Sequence, residues 1–381
     1  MKHTITDFLT ALAATALLGA GCGAETPVGS AGSPDAYQIR PAGVSGNQPI
    51  AVALPGSPVV AAPGAQDAHP EWLVRTANHE HSIESIAVTD GYVYFEAWWE
   101  GIYRVPKAGG AIEVIDAATR AEFKPITTAG NQVFWVKSTF DDRDYPHVQL
   151  KRRPDGGGPN QVLFDDDWGI TSSSPELSNF QADASGVYMI AGRAGAFAYD
   201  LFHVPPDGGA IGNVLPLEPS LSWPSWLIDD ARLFFVPRYG VNKSPIRAIA
   251  KSGGTDSLIA TVPASEATLY ALDADSLYLL SQNDIWRAAK DGSNVSAVVH
   301  FEGANHPGSH LLVDDSNLYF INTTADATEL RAVPKAGGTP TTIASGMLFA
   351  QSIQIEQDAT QFYVLGPGGQ EISLVSKTPT Q

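Results

Sequence analysis

Short apolar segments alternate with polar turns along most of this chain, and residues 311–345 show the pattern most clearly. An apolar run and a strand ending in Leu318-Tyr319-Phe320 flank an Asp-Asp-Ser turn. A strand over Glu329–Val333 and another over Thr341–Ala344 flank the turn Lys335-Ala336-Gly337-Gly338. Apolar or β-branched runs bounded by Gly, Asp, Asn or Ser are typical of strands joined by tight turns. The stretch therefore predicts four antiparallel strands in a meander.

The same unit recurs along the chain, and its clearest landmark is a pair of bulky residues in the second strand. The copies lie roughly 40 to 54 residues apart, which is the period of a four-stranded propeller blade. They are Tyr94-Phe95, Phe134-Trp135, Tyr188-Met189, Phe234-Phe235, Tyr278-Leu279, Tyr319-Phe320 and Phe362-Tyr363.

A glycine-containing turn between the third and fourth strands repeats with the same period. Its copies begin at Lys107, Pro154, Pro206, Lys251, Lys290 and Lys335. Paired glycines supply the positive φ that a tight hairpin needs. The sequence therefore predicts an all-β protein, a β-propeller of four-stranded antiparallel blades.

Two segments resemble known propeller repeats. Residues 285–293, IWRAAKDGS, resemble the YWTD-type repeats, and the turn Asp315-Ser316 with Tyr319 resembles the same families and the TolB-like propellers. The resemblance extends over about residues 70–381, implies the fold and transfers no active site.

The last unit lacks a fourth strand, because only Glu371–Val375 and a polar tail follow its second strand. The segment Glu71–Ala77 lies before the first unit and resembles Thr341–Ser345, the fourth strand of the sixth unit. We therefore predict that an N-terminal strand closes the last of seven blades, which pairs edges that otherwise invite aggregation. Six blades are the alternative, if the second or third unit is not a true blade.

Residues 1–22 have the features of an export signal. Lys2 precedes the apolar run Phe8–Leu18, and Gly19-Ala20-Gly21 precedes Cys22, the only cysteine of the chain. The run is too short for a spanning helix. The segment resembles a bacterial lipoprotein signal, which implies acylation of Cys22 and anchorage in a lipid bilayer. A plain secretory signal with a chance cysteine is the alternative. If Cys22 is acylated, the following residues Gly23-Ala24 favour the outer membrane of the cell envelope.

Composition separates a tether from the propeller. Residues 23–68 are rich in Pro, Gly and Ala and predict a disordered or partly extended tether, and residues 69–381 form the propeller. The formal net charge of −18 argues against nucleic-acid partners.

Propeller topology gives the ring two different faces. The turns from the first to the second strand and from the third to the fourth share one face, here called the turn face. The connections from the second to the third strand and between blades share the opposite one, the loop face. Variable loops on a rigid scaffold are where binding residues concentrate. We therefore predict a ligand-binding rim there of Trp98, Trp99, Trp168, Trp223, Arg238 and Tyr239.

Two metal sites on the loop face are weaker alternatives, and no cofactor is otherwise expected. Zinc could be bound by His79 and His81 with His306 or His310. Calcium could be bound by Asp141, Asp142 and Asp144 with Asp165 to Asp167, although no D-x-D-x-D-G register is present. The simpler interpretation of the histidines is that they cap turns or face water, and that of the aspartates is that they lie in solvated acidic loops.

The sequence favours a membrane-anchored, non-catalytic binding or scaffold lipoprotein of the bacterial envelope, with a protein or a glycan as its partner. A metal-dependent hydrolase or lyase is the alternative, because some propellers of similar appearance carry such activities. The innermost strands are mostly apolar, and Glu84 is the ionisable exception. No G-x-S-x-G nucleophile motif occurs in the sequence.

Overall fold

The structure is a computed structural model that contains strands and a single turn of 3-10 helix, with no α-helix among the residues that it describes. The described residues are 37–39, 71–76, 82–97, 100–117, 121–123, 126–140, 146–166, 180–192, 199–216, 222–238, 243–302, 306–323, 328–346 and 354–377.

The strands follow one another at short intervals. They are β1 (Tyr37–Ile39), β2 (Glu71–Thr76), β3 (Ile83–Val88), β4 (Tyr92–Ala97), β5 (Gly101–Pro106), β6 (Glu113–Ala117), β7 (Ala121–Phe123), β8 (Thr127–Ala129), β9 (Gln132–Phe140), β10 (Pro146–Pro154), β11 (Gln161–Asp166), β12 (Phe180–Asp183), β13 (Gly186–Gly192), β14 (Tyr199–Val204), β15 (Gly212–Pro216), β16 (Ser222–Ile228), β17 (Arg232–Arg238), β18 (Ser244–Ala250), β19 (Ser257–Val262), β20 (Thr268–Leu272), β21 (Ser276–Leu280), β22 (Asp284–Ala289), β23 (Val295–His300), β24 (His306–Val313), β25 (Asn317–Thr323), β26 (Thr328–Pro334), β27 (Thr341–Ser345), β28 (Gln354–Gln357), β29 (Gln361–Leu365) and β30 (Glu371–Ser376). The 3-10 turn spans Pro367–Gly369.

These strands form seven antiparallel sheets, which confirms the seven-bladed propeller. Blades one to six are β3–β6, β7–β11, β12–β15, β16–β19, β20–β23 and β24–β27. The innermost strand of blade two is split, because β7 and β8 pair with different parts of β9.

Blade seven closes the ring as predicted. Its sheet has the order β1-β2-β30-β29-β28, so the N-terminal strand β2 is the fourth strand of the last blade. Glu71 pairs with Leu374 and Trp72 with Ser373. The sequence did not predict β1, which lies inside the range expected to be a tether and pairs with the outer edge of β2.

The core consists of apolar layers between blades rather than one central mass. Strand-two residues at one repeated position are buried in every blade: Tyr94, Phe134, Tyr188, Phe234, Tyr278, Tyr319 and Tyr363. Tyr363 lies five residues after Asp358, just as Tyr319 lies five residues after Asp314. In blade seven the equivalent pair is therefore Tyr363-Val364, which is one residue later than the pair predicted from the sequence. Burying a large apolar side chain contributes about 1.5–3 kcal/mol, so these layers hold each blade against the next.

Every outer strand contains a bulge at the same register, which places one extra residue in the fourth strand. The extra residues are all aliphatic: Leu73, Ile115, Leu163, Val214, Ile259, Val298 and Ile343. Bulges twist and interrupt an edge, and exposed edges otherwise pair with other chains. The repeated bulge therefore protects the circumference of the ring.

The glycine turns have a second role besides their positive φ. A Cβ atom on Gly292 would lie 2.3 Å from the carbonyl oxygen of Ile259, the bulge residue of the preceding blade. The same relationship joins Gly208 to Leu163, where the distance would be 2.8 Å. The first glycine of these turns therefore allows close backbone contact between neighbouring blades.

Candidate functional site

Most of the predicted rim lies outside the described residues. Trp98, Trp99, Trp168 and Tyr239 are among the residues that the structure does not describe. Backbone positions are defined for Trp223, on β16, and for Arg238, at the end of β17. Ser222 pairs with Arg238, so these two rim positions are neighbours at the loop-face end of blade four. The rim stays a prediction.

The predicted metal ligands are also only partly described. His79, His81, Asp141, Asp142, Asp144 and Asp167 lie outside the described residues, as does Cys22. His306 and His310 lie on β24, the innermost strand of blade six. Within the described ranges no group of three or more His, Cys, Asp or Glu could hold a metal ion. Both metal sites therefore remain untested predictions.

Two histidine–carboxylate pairs lie on the loop face. His147 Nε2 lies 2.7 Å from Asp165 Oδ1, and Gln149 donates to the other oxygen of Asp165 at 3.0 Å. His300 Nδ1 lies 2.7 Å from Asp284 Oδ1 in blade five. Asp165, which was predicted as a calcium ligand, thus has protein partners on both of its oxygens.

The polar group that distinguishes the channel wall is Glu356 on β28, which the sequence analysis did not single out. Gln354 donates from Nε2 to Glu356 Oε1 at 2.7 Å. Burial raises the pKa of Glu356 to about 7, and the hydrogen bond from Gln354 opposes only part of that rise. This carboxyl group changes charge near neutral pH, unlike an ordinary glutamate.

Glutamine side chains join neighbouring innermost strands. Gln354 accepts from the Ile86 nitrogen at 2.9 Å and donates to the Ile86 oxygen at 2.8 Å, which joins blade seven to blade one. Gln181 donates to the Trp226 oxygen and accepts from the Ile228 nitrogen, which joins blade three to blade four. Glu84, the predicted exception, is exposed and accepts a hydrogen bond from Ser82 at 2.7 Å. Gln354 and Gln181 therefore each connect two blades, whereas these hydrogen bonds of Glu84 and Glu356 stay within one blade.

A repeated ion pair joins blades on the turn face. In five of the seven interfaces, the lysine after the third strand of one blade contacts the aspartate of the first turn in the preceding blade. We call these contacts the latches. They are Lys107 with Asp358 (2.9 Å), Lys251 with Asp183, Lys290 with Asp229 (3.0 Å), Lys335 with Asp273 (2.8 Å) and Lys377 with Asp314 (3.3 Å).

Each latch aspartate also shapes its own turn. In blade five, Asp273 Oδ1 accepts from the backbone nitrogens of Asp275 and Ser276, at 3.0 and 2.8 Å. Its Oδ2 accepts from Tyr278 at 2.9 Å and from Lys335. One oxygen therefore fixes the hairpin while the other binds the next blade.

The latch carboxylates are held in the charged form. Burial alone would raise the pKa of Asp273, but hydrogen bonds from Lys335 and Tyr278 outweigh it and lower the pKa to about 2. Burial is likewise outweighed at Asp314, where Tyr319 and the backbone of the turn lower the pKa to about 2. The same balance lowers the pKa of Asp358 beside Lys107. The latches therefore stabilise the ring at neutral pH.

Two interfaces use other residues at these positions. Between blades one and two, Thr89 and Tyr94 donate to Asp155 Oδ1 at 2.7 and 3.0 Å. Between blades two and three the positions are Ala129 and Pro206, which have no side-chain group that could form an ion pair. The outer side of this interface has a shallow groove of about 560 Å³, lined by Leu163, Phe164, Asp165, Phe202, Gly209, Ala210 and Ile211.

Comparisons with known proteins identify the fold and no family. No protein-family model and no curated protein matches the chain. The chain is similar in fold to the β-propeller domain of the Trilobed protease from Pyrococcus furiosus, with 9% identity over 82% of this chain and 97% of that chain, and a TM-score of 0.55. A puromycin-hydrolyzing peptidase of Mycobacterium tuberculosis matches with 13% identity, 80% and 52% coverage, and a TM-score of 0.54. At such identities the likeness shows a β-propeller and transfers no activity.

In the part of the chain that the structure describes, no helix is long and apolar enough to cross a membrane.

Proposed function

We propose that this protein is a lipid-anchored β-propeller of the bacterial cell envelope that binds a protein or a glycan through its loop face, without catalysis. Cys22 is the attachment point, and the outer membrane is the location that its neighbouring residues favour.

The observation that carries the proposal is that all seven blades are built from residues 71–376. The ring therefore does not need Cys22, which leaves that residue available for acylation. Latches and glutamine contacts connect the blades, so the ring provides a stiff support for its loops. Loops on a rigid scaffold form binding surfaces more often than regular strands do.

A site-specific photo-crosslinking experiment tests the binding surface. Glu302, on the loop face, and Asn294, on the turn face, are both exposed and flank the same outer strand β23. A photo-reactive residue at position 302 of the full chain, expressed in the envelope, should give a discrete crosslinked product. The same residue at position 294 should not. Equal products from both positions, or none from position 302, would contradict the proposed binding face.

The Trp223→Ala and Arg238→Ala variants should weaken the product from position 302, because both belong to the predicted rim. Metal analysis of the purified protein separates the enzyme alternative. A stoichiometric metal whose chelation lowers the melting temperature would support a metal-dependent hydrolase or lyase instead.

A further inference from the structure

We propose that strand β1 is a strap that makes the chain leading from Cys22 join the ring at its loop face, so that the loop face lies toward the membrane. This inference rests on the proposed function, because it assumes that Cys22 carries the anchor.

The direction of the strands is the first observation. The outer strand of a blade runs from the turn face to the loop face, so β2 begins at the turn face with Glu71 and ends at the loop face with Thr76. β1 is antiparallel to β2, and its first residue, Tyr37, pairs with Thr76. The chain that precedes Tyr37 therefore joins the ring at the loop face. Without β1, it would join at Glu71, on the turn face.

The length of chain between Cys22 and the ring also differs between the arrangements with and without β1. Residues 23–36 separate Cys22 from Tyr37, which gives a maximum reach of about 50 Å at 3.3–3.6 Å per residue. Without β1, residues 23–70 separate Cys22 from Glu71, with a maximum reach of about 170 Å. Pairing of β1 therefore shortens the connection about threefold and changes the face to which it is attached.

The turn face is acidic, so its charge bears on how close it can lie to an anionic membrane. The lysines of this face are paired in the latches, whereas exposed aspartates occupy many of its turns. These aspartates are Asp90, Asp207, Asp230, Asp275, Asp291 and Asp315. Anionic lipid headgroups repel such a surface over about a Debye length, roughly 8 Å at physiological salt. The loop face also carries acidic residues, among them Asp141, Asp142 and Asp144, so the proposed orientation rests on the attachment point at Tyr37.

Energy transfer to a lipid acceptor tests the orientation. The acylated full chain carries one label, on Glu302→Cys or on Asn294→Cys, in vesicles of zwitterionic and anionic lipid with an acceptor on the headgroup. An acylated Cys22 does not react with the label, and the sequence has no other cysteine. The two positions flank strand β23 of six residues, so they are separated by about 20 Å along the strand.

We expect at least about twofold higher transfer from position 302 than from position 294, since transfer falls steeply over that distance. The double variant Gln38→Pro/Ile39→Pro removes the backbone donors of two consecutive residues, one of which faces β2, and should abolish the difference, whereas Gln38→Ala/Ile39→Ala should keep it. Equal transfer from both positions, or higher transfer from position 294, would overturn the strap.

The same samples separate the strap from the anchor. If the wild-type chain does not float with the vesicles, or if Cys22→Ser floats equally well, the proposed anchorage fails. If flotation depends on Cys22 but Gln38→Pro/Ile39→Pro leaves the difference in transfer unchanged, the strap alone is wrong.

Discussion

The Nζ atom of Lys107 in blade one lies 2.9 Å from Oδ2 of Asp358 in blade seven, and 251 residues separate them in the sequence. The same contact joins four other pairs of neighbouring blades. The ring therefore closes with the chemistry that also joins its consecutive blades, in addition to the pairing of β2 with β30.

Removal of one latch lysine should destabilise the ring. Lys335→Met leaves the carboxylate of Asp273, whose side chain is 19% exposed, without its counter-ion. We expect a loss of about 1–2 kcal/mol in the free energy of unfolding, since the pair is only partly screened by solvent. Urea denaturation measures it.

Lys243 provides the matched control, because it is an exposed lysine on the loop-face side of blade four. Lys243→Met should change the free energy of unfolding by less than about 0.5 kcal/mol. Equal losses in both variants would show that the latch contributes nothing beyond the loss of a charge.

Acid should weaken the latches. The pKa values of Asp273 and Asp314 are lowered from 3.8 to about 2 in the folded protein. A group with a lowered folded-state pKa stabilises the protein above its unfolded pKa, and this contribution is lost as the pH falls toward the folded value. Stability should therefore decrease between about pH 4 and pH 2.

The double variant Asp273→Asn/Asp314→Asn should be less stable at pH 7 and show a flatter pH profile over that window. Melting temperatures of both proteins at pH 2 to 7 measure this. Parallel profiles for the two proteins would show that other groups control the acid transition.

Two glycines with nearly the same φ should respond differently to alanine. Gly253 has a φ of 82° and Gly292 a φ of 80°, at the same turn position in consecutive blades. A Cβ on Gly253 would lie 3.4 Å from the Val214 oxygen, whereas one on Gly292 would lie 2.3 Å from the Ile259 oxygen. Both variants incur the backbone strain of a positive φ, about 1–2 kcal/mol.

Gly292→Ala should therefore lower the free energy of unfolding by about 1–3 kcal/mol more than Gly253→Ala does, because the neighbouring blade must move. Chemical denaturation of the pair measures the difference. Equal losses would indicate that φ alone requires glycine at this position.

Replacement of Glu356 should stabilise the protein above neutral pH. The pKa of Glu356 is raised from 4.5 to about 7, so its contribution is present below the unfolded pKa and is lost as the pH rises through 7. Glu356→Gln should raise the free energy of unfolding at pH 8 by about 1–2 kcal/mol. The gain is limited to this size because the side chain keeps some contact with solvent. The two proteins should differ little at pH 4, and a constant difference at all pH values would contradict the shifted pKa.

The local signals in the sequence predicted the architecture well. Turn chemistry and strand length are properties of consecutive residues, so the spacing of turns such as Lys335-Ala336-Gly337-Gly338 predicted the blades. The pairing of β2 with β30 followed from a missing fourth strand. The resemblance of Glu71–Ala77 to Thr341–Ser345, the fourth strand of the sixth unit, supplied the replacement.

The latches could not be predicted in this way, because four of them join residues 61 to 68 positions apart and the fifth joins residues 251 positions apart. Lys290 and Asp229, for example, belong to two regular patterns, and only the ring shows that they meet. Glu356 was missed because its burial depends on the packing of β28 against β3 and β24, which are far from it in the sequence or belong to another blade. The predicted rim was harder to test, since Trp98, Trp168 and Tyr239 lie outside the described residues.

Mass spectrometry of the N-terminal peptide from the membrane fraction tests the central proposal most directly. We expect the mature chain to begin at Cys22 with acyl chains on that residue, and Cys22→Ala to release the protein from the membrane. A mature chain with an unmodified cysteine, or one cleaved at another position, would contradict a lipid-anchored propeller and leave a secreted one.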